Sequence, residues 1–574
     1  MIPPSSSSSS AAGASTNVSS FAKPLPTHGE RHVLKAETEL RLEIPFNSSI
    51  TLTLLAGSAE IFGVELALAT DIVPNPTIPL TSSSSSASSV MMMTTMSKQS
   101  YWIPGNTKFA IFTWYGCTVD VDIEYGKSLD ISYTSTETTC NISYVNTHAQ
   151  LEIYREEALR AALVLQQPQQ QSNIVPSPTT TAASLDGPRV LIVGPPDSGK
   201  TTLAKLLTAY AIKVGKTPIL VDLDPSQNIL SVPGTLSACI MTPDSISIPS
   251  YASMGLTTTT TTGGGGNTNT NSTHYPLALW YGSTEVSSQP DLYQALLYRL
   301  GQVIDARVGA AGGGVASASS ADSIDTRSSG LIINTCGWIE DIGYKLLLHA
   351  ISAFRINIIL VMGHDRLYSM LQTHYQKING SSNGGENGLT TNIATTTSPK
   401  VIKLPRSGGV VYRDVAFRRI SRSLCIRQYF YGDLIPSSSL QSTTASSSSL
   451  IHQYSPVLLE LSFANIRIYK LSSVSLTASM LPIAAKQTTD PIQLNLLTSI
   501  SPSLTHSLVA VCHPNAVEAF DKSGNAADLY LSGVAGFLAI EKVNMEKDVL
   551  TVLSPCSGSL PSSVLILGDV SWME

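Results

Sequence analysis

Residues 188–202, which read PRVLIVGPPDSGKTT, constrain the fold of this chain more than any other stretch. An apolar, β-branched run over 190–193 stops at Gly194. The octapeptide that starts at Gly194 matches the pattern G-x-x-x-x-G-K-[ST] at every fixed position, and apolar residues then recur at helical spacing over 200–214. A strand, a glycine-bounded loop and a helix in this order predict a phosphate-binding loop.

The chemistry of this loop follows from its residue types. Glycines let consecutive backbone N–H groups point at phosphate oxygens, and the helix N-terminus adds the positive end of its dipole. Lys200 is predicted to reach the β- and γ-phosphates, and the Thr201 hydroxyl is predicted to bind Mg²⁺. The residues predicted to hold the nucleotide here are Gly194, Asp197, Ser198, Gly199, Lys200, Thr201 and Thr202. The chain is therefore expected to bind a nucleotide.

The length of 574 residues is too great for one hydrophobic core. Low-complexity tracts rich in Ser, Gln, Thr or Gly have little to bury and are interpreted as surface insertions. The predicted organisation is a disordered tail over 1–30, a β-sandwich over 31–150 with a loop insertion near 75–98, a helix and linker over 151–186, a P-loop domain over 187–436, a linker over 437–451 and a β-rich domain over 452–574.

The fold class follows from how apolar residues are patterned in each region. Short alternating runs separated by turn residues, over 32–144, predict a small antiparallel sandwich. Apolar strands interleaved with helices in the centre predict an α/β domain with a parallel sheet, interrupted by insertions such as 309–330. Short strands return after 452. We expect a central P-loop NTPase sheet flanked by an N-terminal β-sandwich and a C-terminal β-rich domain.

Composition excludes several classes of protein. The seven cysteines are scattered and form no C-x-x-C pair, which argues against a disulfide framework or a zinc site and favours a reducing compartment. No run of eighteen apolar residues occurs, so no membrane span is expected, and the N-terminus lacks the pattern of a secretory signal. The net charge of −6 means that any contact with nucleic acid must be local.

Two acidic residues end the strand-like run PILVDLD at 218–224. This strand is expected beside the strand of the phosphate-binding loop, and ligands bind outside the carboxyl ends of such strands. Either Asp222 or Asp224 could hold Mg²⁺ or accept a proton from an attacking hydroxyl, and a solvated strand end is the alternative. Asp224 is preferred because the next residues turn the chain toward the site, and Gln227 is a second polar candidate.

A basic segment covers 400–427, where eight Lys and Arg residues stand against the single acid Asp414. Phosphoryl transfer has to stabilise charge on the transferred group, and arginines brought over the nucleotide can do so. Gly408 and Gly409 could form the hinge of a closing segment. A solvated basic helix face, or contact with an RNA backbone without catalysis, are the competing interpretations.

Taken together, these motifs resemble the polynucleotide 5′-hydroxyl kinase family that includes the ATP-binding subunit of the pre-mRNA cleavage factor. The resemblance covers nearly the whole chain outside the insertions. It rests on ETELRLE and KFAIFTWYGCTVDV near the start, on GPPDSGKTTLAKLLTAYAIKVGK, VDLDPSQ, INTCGW, DRLYSML and SGGVVYRD in the centre, and on FANIRIYKL, VAGFLAI and TVLSP near the end.

The resemblance implies a role for particular residues. Glu39 and Lys108 correspond to positions where the N-terminal domain touches the adenosine of ATP. Asp224 corresponds to the acid that activates the RNA 5′-hydroxyl and, with Thr201, to a Mg²⁺ ligand. Arg413 and Arg418 correspond to lid arginines that act with Lys200 on the γ-phosphate. The implied cofactors are ATP and Mg²⁺, and the implied partners are RNA and the other subunits of a nuclear mRNA 3′-end cleavage and polyadenylation complex.

The sequence departs from this family at a motif that holds the RNA. Active members carry a Thr-Pro-Gly clasp, whereas this chain has Glu285, Val286 and Ser287, and a glutamate there would repel a phosphate backbone. Ser226 and Asn228 also replace glycines after the catalytic aspartate. Three functions stay open: an RNA 5′-hydroxyl kinase, an ATP-bound scaffold that does not turn over, and a partner-regulated ATPase switch.

Overall fold

The computed structural model describes residues 29–46, 48–68, 100–123, 131–166, 186–246, 248, 276–309, 320–381, 398–432, 434–436, 450–473 and 492–573. The tail over 1–28 and most of the predicted insertions and linkers lie outside these residues. Gly29 and Glu30, which we assigned to the tail, begin the first strand.

The N-terminal strands form two antiparallel sheets around one core, with orders β1-β8-β3-β6 and β5-β4-β7-β2-β9. Their bounds are β1 Gly29–Leu34, β2 Thr38–Ile44, β3 Ile50–Gly57, β4 Glu60–Ile61, β5 Val64–Glu65, β6 Tyr101–Ile103, β7 Thr107–Thr113, β8 Cys117–Ile123 and β9 Ile131–Ser135. Alternation decides which side faces the core: in β8, Cys117, Val119 and Val121 are buried and the residues between them are less so. The predicted β-sandwich is confirmed.

Helix α1 spans Thr139–Gln166 and therefore begins earlier than the predicted helix over 151–166. Cys140 and Tyr144 lie four residues apart on one helical face, and both are buried with Leu151 against the central sheet. The extra turns form because these apolar residues pack against the central sheet, and this stabilisation exists only in the folded domain.

In the central sheet the described strands have the order β13-β12-β11-β14-β10-β15-β16. Their bounds are β10 Arg189–Val193, β11 Ile219–Asp222, β12 Thr235–Ile240, β13 Leu277–Trp280, β14 Leu331–Asn334, β15 Ile358–Met362 and β16 Lys400–Leu404. β11, β14, β10, β15 and β16 are mutually parallel. β12 is antiparallel to both of its neighbours, β11 and β13. The chain returns from β11 to β12 by a loop, without the crossover helix that a parallel neighbour needs.

The position of β11 differs from the prediction. We expected β11 beside β10, but β14 lies between them and pairs with both. The connection from β10 through a helix to β11 leaves a gap one strand wide, and β14 fills this gap much later in the sequence. As a result the end of β14 also borders the phosphate-binding loop.

Helices cover both faces of this sheet. Their bounds are α2 Lys200–Lys213, α3 Pro290–Gly309, α4 Ser320–Ser329, α5 Ile342–Ala353, α6 Asp365–Ser381 and α7 Val415–Tyr431. α4 lies within the stretch 309–330 that was interpreted wholly as an insertion, and that interpretation was wrong for its second half. Leu331 and Ile333 of β14 belong to the core on one face, and Ile332 belongs to the core on the other.

The C-terminal strands form a mixed sheet with the order β19-β24-β23-β22-β25-β20-β21, preceded by a short hairpin of β17 and β18. The bounds are β17 Leu434–Pro436, β18 Leu450–His452, β19 Val457–Ser462, β20 Arg467–Ser473, β21 Ile492–Leu496, β22 Ser507–Cys512, α8 Pro514–Ser523, α9 Ala527–Tyr530, β23 Val534–Asn544, β24 Val549–Ser554 and β25 Val564–Ser571. The predicted β-rich domain is confirmed. The hairpin begins with β17 at the end of the predicted P-loop domain, and β18 begins inside the stretch predicted as a linker.

Two interfaces fix the flanking sheets to the central one. At the N-terminal interface, Tyr210 of α2 donates a hydrogen bond to Glu60 at 2.5 Å, and Lys213 pairs with Glu65 at 2.7 Å. At the C-terminal interface, a Cβ atom on Gly568 would lie 2.4 Å from the carbonyl oxygen of Gly282, so the two backbones are in contact. Within the described residues, no helix is long and apolar enough to cross a membrane.

Candidate functional site

A cavity of about 620 Å³ lies between the N-terminal sandwich and the carboxyl ends of the central strands, and we call it the main cavity. Four parts of the chain line it. They are the phosphate-binding loop from Pro196 to Thr202, sandwich residues that include Glu39, Arg41 and Lys108, the strand ends around Asp224 and 335–338, and the segment from Ser407 to Arg418. All the residues predicted as catalytic are among the lining residues, so the structure brings them together.

The phosphate-binding loop has the backbone that its glycines predict. Gly199 has φ of 90°, in the left-handed region that favours glycine, and Asp197 also has a positive φ of 51°. Ser198 Oγ and Lys200 Nζ both donate to the carbonyl oxygen of Pro195, at 2.9 and 2.7 Å. The lysine thus folds back over the loop, with its ammonium group at the centre of the phosphate-binding concavity.

Lys200 is buried, with 7% of its surface exposed. Burial lowers its pKa, and the carboxylates of Asp224 and Asp197 oppose that effect. An ammonium group removed from water in this way gains strongly from contact with a phosphate anion, which replaces the lost solvation.

The two candidate acids have different surroundings. Asp222 is fully buried, and its carboxylate accepts hydrogen bonds from the backbone N–H of Asp224 at 3.0 Å, from Ile229 N–H at 2.8 Å and from Asn334 Nδ2 at 3.0 Å. Burial, followed by the charge of Asp224, raises the pKa of Asp222 to about 7. These hydrogen bonds to backbone N–H groups mean that Asp222 holds the loop after β11 in place.

Asp224 is half-buried and lines the main cavity. Its Oδ1 accepts from the backbone N–H of Ser226 at 2.9 Å. Burial raises the pKa of Asp224, while that hydrogen bond and the charges of Lys200 and Arg418 oppose the rise. Asp224 lines the main cavity and Asp222 does not, so Asp224 is the acid that a substrate in this cavity can reach. Its role as the general base stays a prediction.

Asn334 at the end of β14 connects the acids to the phosphate-binding loop. Its Nδ2 donates to Thr201 Oγ1 at 3.3 Å and to Asp222 Oδ1 at 3.0 Å. Its Oδ1 is buried and has no hydrogen-bond partner within the described part of the chain. Hydroxyl, carboxylate and amide oxygens are the hard ligands that Mg²⁺ prefers, so Thr201 and Asp224 fit a magnesium ion that is completed by phosphate and water oxygens.

The two lid arginines differ in their contacts. Arg418, on α7, donates from Nη2 to Asp197 Oδ2 at 2.6 Å and from Nε to the carbonyl oxygen of Arg413 at 3.0 Å. The backbone N–H of Arg413 also donates to Asp197 Oδ2, at 3.3 Å. α7 is capped by Asp414, whose carboxylate accepts from Phe417 N–H. The lid is therefore anchored to the phosphate-binding loop through one carboxylate.

The sandwich contributes charged side chains to the opposite wall. Glu39 pairs with Arg41 at 2.5 Å, and Arg41 also donates to the Tyr133 hydroxyl at 3.2 Å. Burial raises the pKa of Glu39 despite this arginine. Lys108 pairs with Glu43 at 2.7 Å. Glu39 and Lys108 are thus placed in the main cavity, where their contact with adenosine stays a prediction.

The glycine pair of the basic segment has a steric explanation. A Cβ atom on Gly409 would lie 3.0 Å from Arg41 Nε and 3.3 Å from Glu39 Oε1, and one on Gly408 would lie 2.5 Å from Glu137 Oε2. Neither glycine has a φ in the left-handed region. Their small size lets the lid segment cross the sandwich, while the hinge role stays a prediction.

The segment that replaces the clasp forms a turn at the edge of the main cavity. Val286 is buried in the core, whereas Glu285 is exposed. The Tyr281 hydroxyl donates to the backbone oxygens of Glu285 and Val286, at 3.1 and 3.0 Å. The exposed carboxylate of Glu285 therefore stands beside the cavity on a well-anchored turn.

Sequence reasoning did not single out Arg41 and Trp338, which line the main cavity, or Asn334, which donates hydrogen bonds to Thr201 and Asp222. Asn334 could have been found as a polar residue that ends an apolar strand, by the same argument that selected Asp222. Arg41 and Trp338 carry no local signal that separates them from surface residues. Within the described residues, no cluster of three or more His, Cys, Asp or Glu side chains could hold a metal ion on its own.

The fold and the site together define a nucleotide-binding protein of the P-loop kinase type. Three family models match the chain in order. The N-terminal β-sandwich domain of polyadenylation factor matches 33–76 and 95–158, the P-loop domain of the mRNA cleavage and polyadenylation factor CLP1 matches 194–432, and the pre-mRNA cleavage complex II protein Clp1 matches 454–574.

Individual relatives agree with these matches. The chain is 32% identical to the CLP1 homolog of Dictyostelium discoideum over 94% of this chain and 89% of that protein. It is 31% identical to the polyribonucleotide 5′-hydroxyl-kinase Clp1 of Xenopus tropicalis over 99% of both chains. Clp1p in its solved complex with Pcf11p has the same fold, with a TM-score of 0.64 at 22% identity over 96% of this chain and 99% of that one. The chain belongs to the Clp1 family.

Proposed function

We propose that the protein transfers the γ-phosphate of ATP to the 5′-hydroxyl of RNA and works in the nucleus as a subunit of the pre-mRNA 3′-end cleavage factor. One observation carries the kinase proposal: Lys200, Thr201, Asp224 and the lid arginines line a single cavity beside the sandwich residues Glu39 and Lys108. A switch ATPase would instead transfer the phosphoryl group to water.

Each residue has a role that its surroundings support. The loop N–H groups and Lys200 bind the phosphates, and Glu39 and Lys108 hold the adenosine. Asp224, with its raised pKa, accepts the proton of the attacking hydroxyl. Arg413 and Arg418 stabilise the charge on the transferred phosphoryl group and exclude water from it. Mg²⁺, held by Thr201 and Asp224, would supply further charge neutralisation when bound.

The test is transfer of label from γ-labelled ATP to a 5′-hydroxyl oligoribonucleotide by the purified protein. Asp224→Asn is expected to retain ATP and to reduce transfer by about 10²- to 10⁴-fold, the usual contribution of a general base. Lys200→Ala should abolish transfer, whereas Lys345→Ala, at an exposed position on α5, should leave it unchanged. Transfer that persists in Lys200→Ala would refute the proposal.

A second candidate, an ATP-bound scaffold in the same complex, is favoured by the exposed carboxylate of Glu285 at the cavity edge. It predicts that ATP stays bound through purification without turnover, and that Lys200→Ala weakens association with the other subunits. Glu285→Gln separates the two functions: an increase in RNA phosphorylation identifies a kinase that this charge restrains, and no phosphorylation by either form identifies the scaffold.

The relative solved with Pcf11p suggests the partner to test first. We propose that this chain binds the corresponding subunit of its own cleavage factor. Affinity purification of the tagged protein from nuclear extract should recover cleavage-factor subunits, and a tagged chain that recovers none of them would contradict membership of the complex.

A further inference from the structure

A second cavity, of about 270 Å³, adjoins the main cavity along α7. Its walls are one face of α7, the first turns of α2, the loop from Gln227 to Ile229 and the sandwich stretch 104–108. We call it the basic cavity. Lys205, Arg422 and Arg427 line it but not the main cavity, and no function has been assigned to them.

The two cavities differ in the charged side chains that line them. Six carboxylates are among the residues that line the main cavity. The described lining of the basic cavity contains no Asp or Glu, and it contains five Lys and Arg side chains together with His452: Lys108, Lys205, Arg413, Arg422 and Arg427. In a chain with a net charge of −6, an acid-free concavity of this kind focuses positive potential and selects an anion.

Arg422 is a cation of the basic cavity that has no salt bridge. Its side chain is half-buried and makes no ion pair with any described residue, whereas Arg418 on the preceding turn pairs with Asp197. Burial, followed by the charges of Arg418 and Arg419, lowers the pKa of Arg422, and the carboxylates of Asp224 and Glu285 oppose this effect. A guanidinium group that is partly withdrawn from water beside two other arginines is destabilising, and a bound anion would reduce that penalty.

Lys205 adds a second buried cation. It has 7% of its surface exposed, and burial, followed by the charge of Arg413, lowers its pKa to about 7. The charges of Asp222 and Cys425 act in the opposite direction. An anion in the basic cavity would favour the protonated form of this lysine.

The basic cavity opens toward the catalytic acid. Six residues line both cavities: Phe62, Lys108, Thr201, Thr202, Gln227 and Arg413. Gln227 follows Asp224 by three residues. The Gln227 Nε2 donor is buried and has no hydrogen-bond partner in the described part of the chain. A donor held in this position can contact an anion that passes from one cavity into the other.

We propose that the basic cavity binds the phosphodiester backbone of the acceptor RNA, so that the strand leaves Asp224 past Gln227 and runs beneath α7. This inference rests on the proposed kinase function and adds a substrate class to it: single-stranded RNA with several phosphates downstream of its 5′-hydroxyl. Phosphates positioned by Arg422 and Arg427 fix the register of the strand without reading its sequence.

The test measures binding, which does not require turnover. Fluorescence anisotropy gives the affinity of the full chain for 5′-hydroxyl oligoribonucleotides of increasing length, at several salt concentrations. The wild-type affinity should rise with length. Arg422→Gln combined with Arg427→Gln should lose about tenfold per removed charge, and the slope of log affinity against log salt should become shallower by about 1.4, which is 0.7 for each contact.

Three controls keep the result interpretable. Arg366→Gln removes an exposed cation on α6 and should change nothing. Arg422→Lys keeps the charge and should keep the salt slope. Arg427→Gln alone changes an exposed side chain and should not affect folding. If the double variant fails to fold, the affinity and salt slope of this single variant test the proposal instead. Affinity for a fluorescent ATP analogue should be equal in all variants, because neither arginine lines the main cavity.

An unchanged affinity and salt slope in the double variant would overturn the proposal. A double variant that loses tripolyphosphate binding but binds RNA normally would also overturn it, since the site would then serve a small polyphosphate. If the wild-type protein transfers no phosphate yet shows length-dependent RNA binding that the double variant loses, the RNA path stands and the kinase proposal fails.

Discussion

The contact between Asp197 and the lid offers a direct test of how the site is closed. Asp197 Oδ2 accepts a hydrogen bond from Arg418 Nη2 at 2.6 Å and one from Arg413 N–H at 3.3 Å. The perturbation is Asp197→Asn, which keeps an acceptor and removes the charge. Asparagine is chosen because Asp197 has φ of 51°, a region that Asn tolerates and that strains other side chains.

The structure sets the size of the expected effect. The Asp197 side chain is 13% exposed and that of Arg418 is 27% exposed, so solvent screens the pair only in part. A charge-assisted hydrogen bond in such surroundings contributes about 1.5 kcal/mol, between the values for exposed and for buried pairs. Without nucleotide, opening of the lid should therefore become about tenfold more frequent.

Amide hydrogen exchange over 408–418 measures this opening. Exchange in Asp197→Asn should be about tenfold faster than in the wild type without nucleotide, and the difference should shrink when ATP supplies anions to the arginines. Asp365→Asn is the matched control, because its pair with Lys403 lies at an exposed site away from both cavities. Equal exchange in Asp197→Asn and wild type would refute the reasoning and leave the crossing of Gly409 over Arg41 as the contact that holds the lid.

Three further predictions concern stability, metal use and pH. Gly568→Ala should lower the melting temperature in a fluorimetric melt, since its Cβ atom would meet the Gly282 carbonyl oxygen at 2.4 Å, an overpacking that costs about 1–3 kcal/mol. Asn334→Ala should raise the Mg²⁺ concentration needed for half-maximal phosphate transfer by about 10- to 100-fold, because Thr201 loses the donor that orients it; an unchanged requirement would exclude this role. RNA affinity should fall as the pH rises from 6 to 8, because Lys205, with its pKa lowered to about 7, loses its proton. Asp222, with its pKa raised to about 7, ionises over the same range, so Lys205→Met should reduce this pH dependence to the part that Asp222 causes. Between pH 7 and 10 the unfolded state binds more protons at Lys205 than the folded state does, so this residue makes the free energy of unfolding rise with pH. If the free energy of unfolding instead falls with pH, and Lys205→Met abolishes that fall, the predicted direction is wrong.

Much of the fold could be read from local patterns. Alternating runs predicted the sandwich, and apolar strands separated by helical spacings predicted the central sheet. The start of α1 and the helix α4 were missed because their residues are weakly patterned and become helical by packing against the domain. The order of strands was missed at β11 because strand order depends on which segments meet in space, and β14 is distant in the sequence.

The residues of the candidate site also form two groups: those that the sequence predicts and those that only the structure reveals. Lys200, Thr201 and Asp224 stand next to elements whose type is evident locally, so their roles could be proposed from spacing alone. Arg422 and Gln227 become notable only when the surrounding charges and hydrogen bonds are known: one makes no ion pair with a described residue and the other has an unpartnered donor. Sequence spacing carries no information on either property.

The sequence alone predicted a phosphate-binding loop at residues 194–202 and determined its conformation, because the loop is built from consecutive backbone amides whose conformation its own glycines permit. Only the tertiary structure decided what surrounds the loop. It placed Glu39 opposite Lys200, attached the lid to Asp197 and left an acid-free cavity beneath α7, because each of these contacts joins segments whose separation in the chain says nothing about their distance in space.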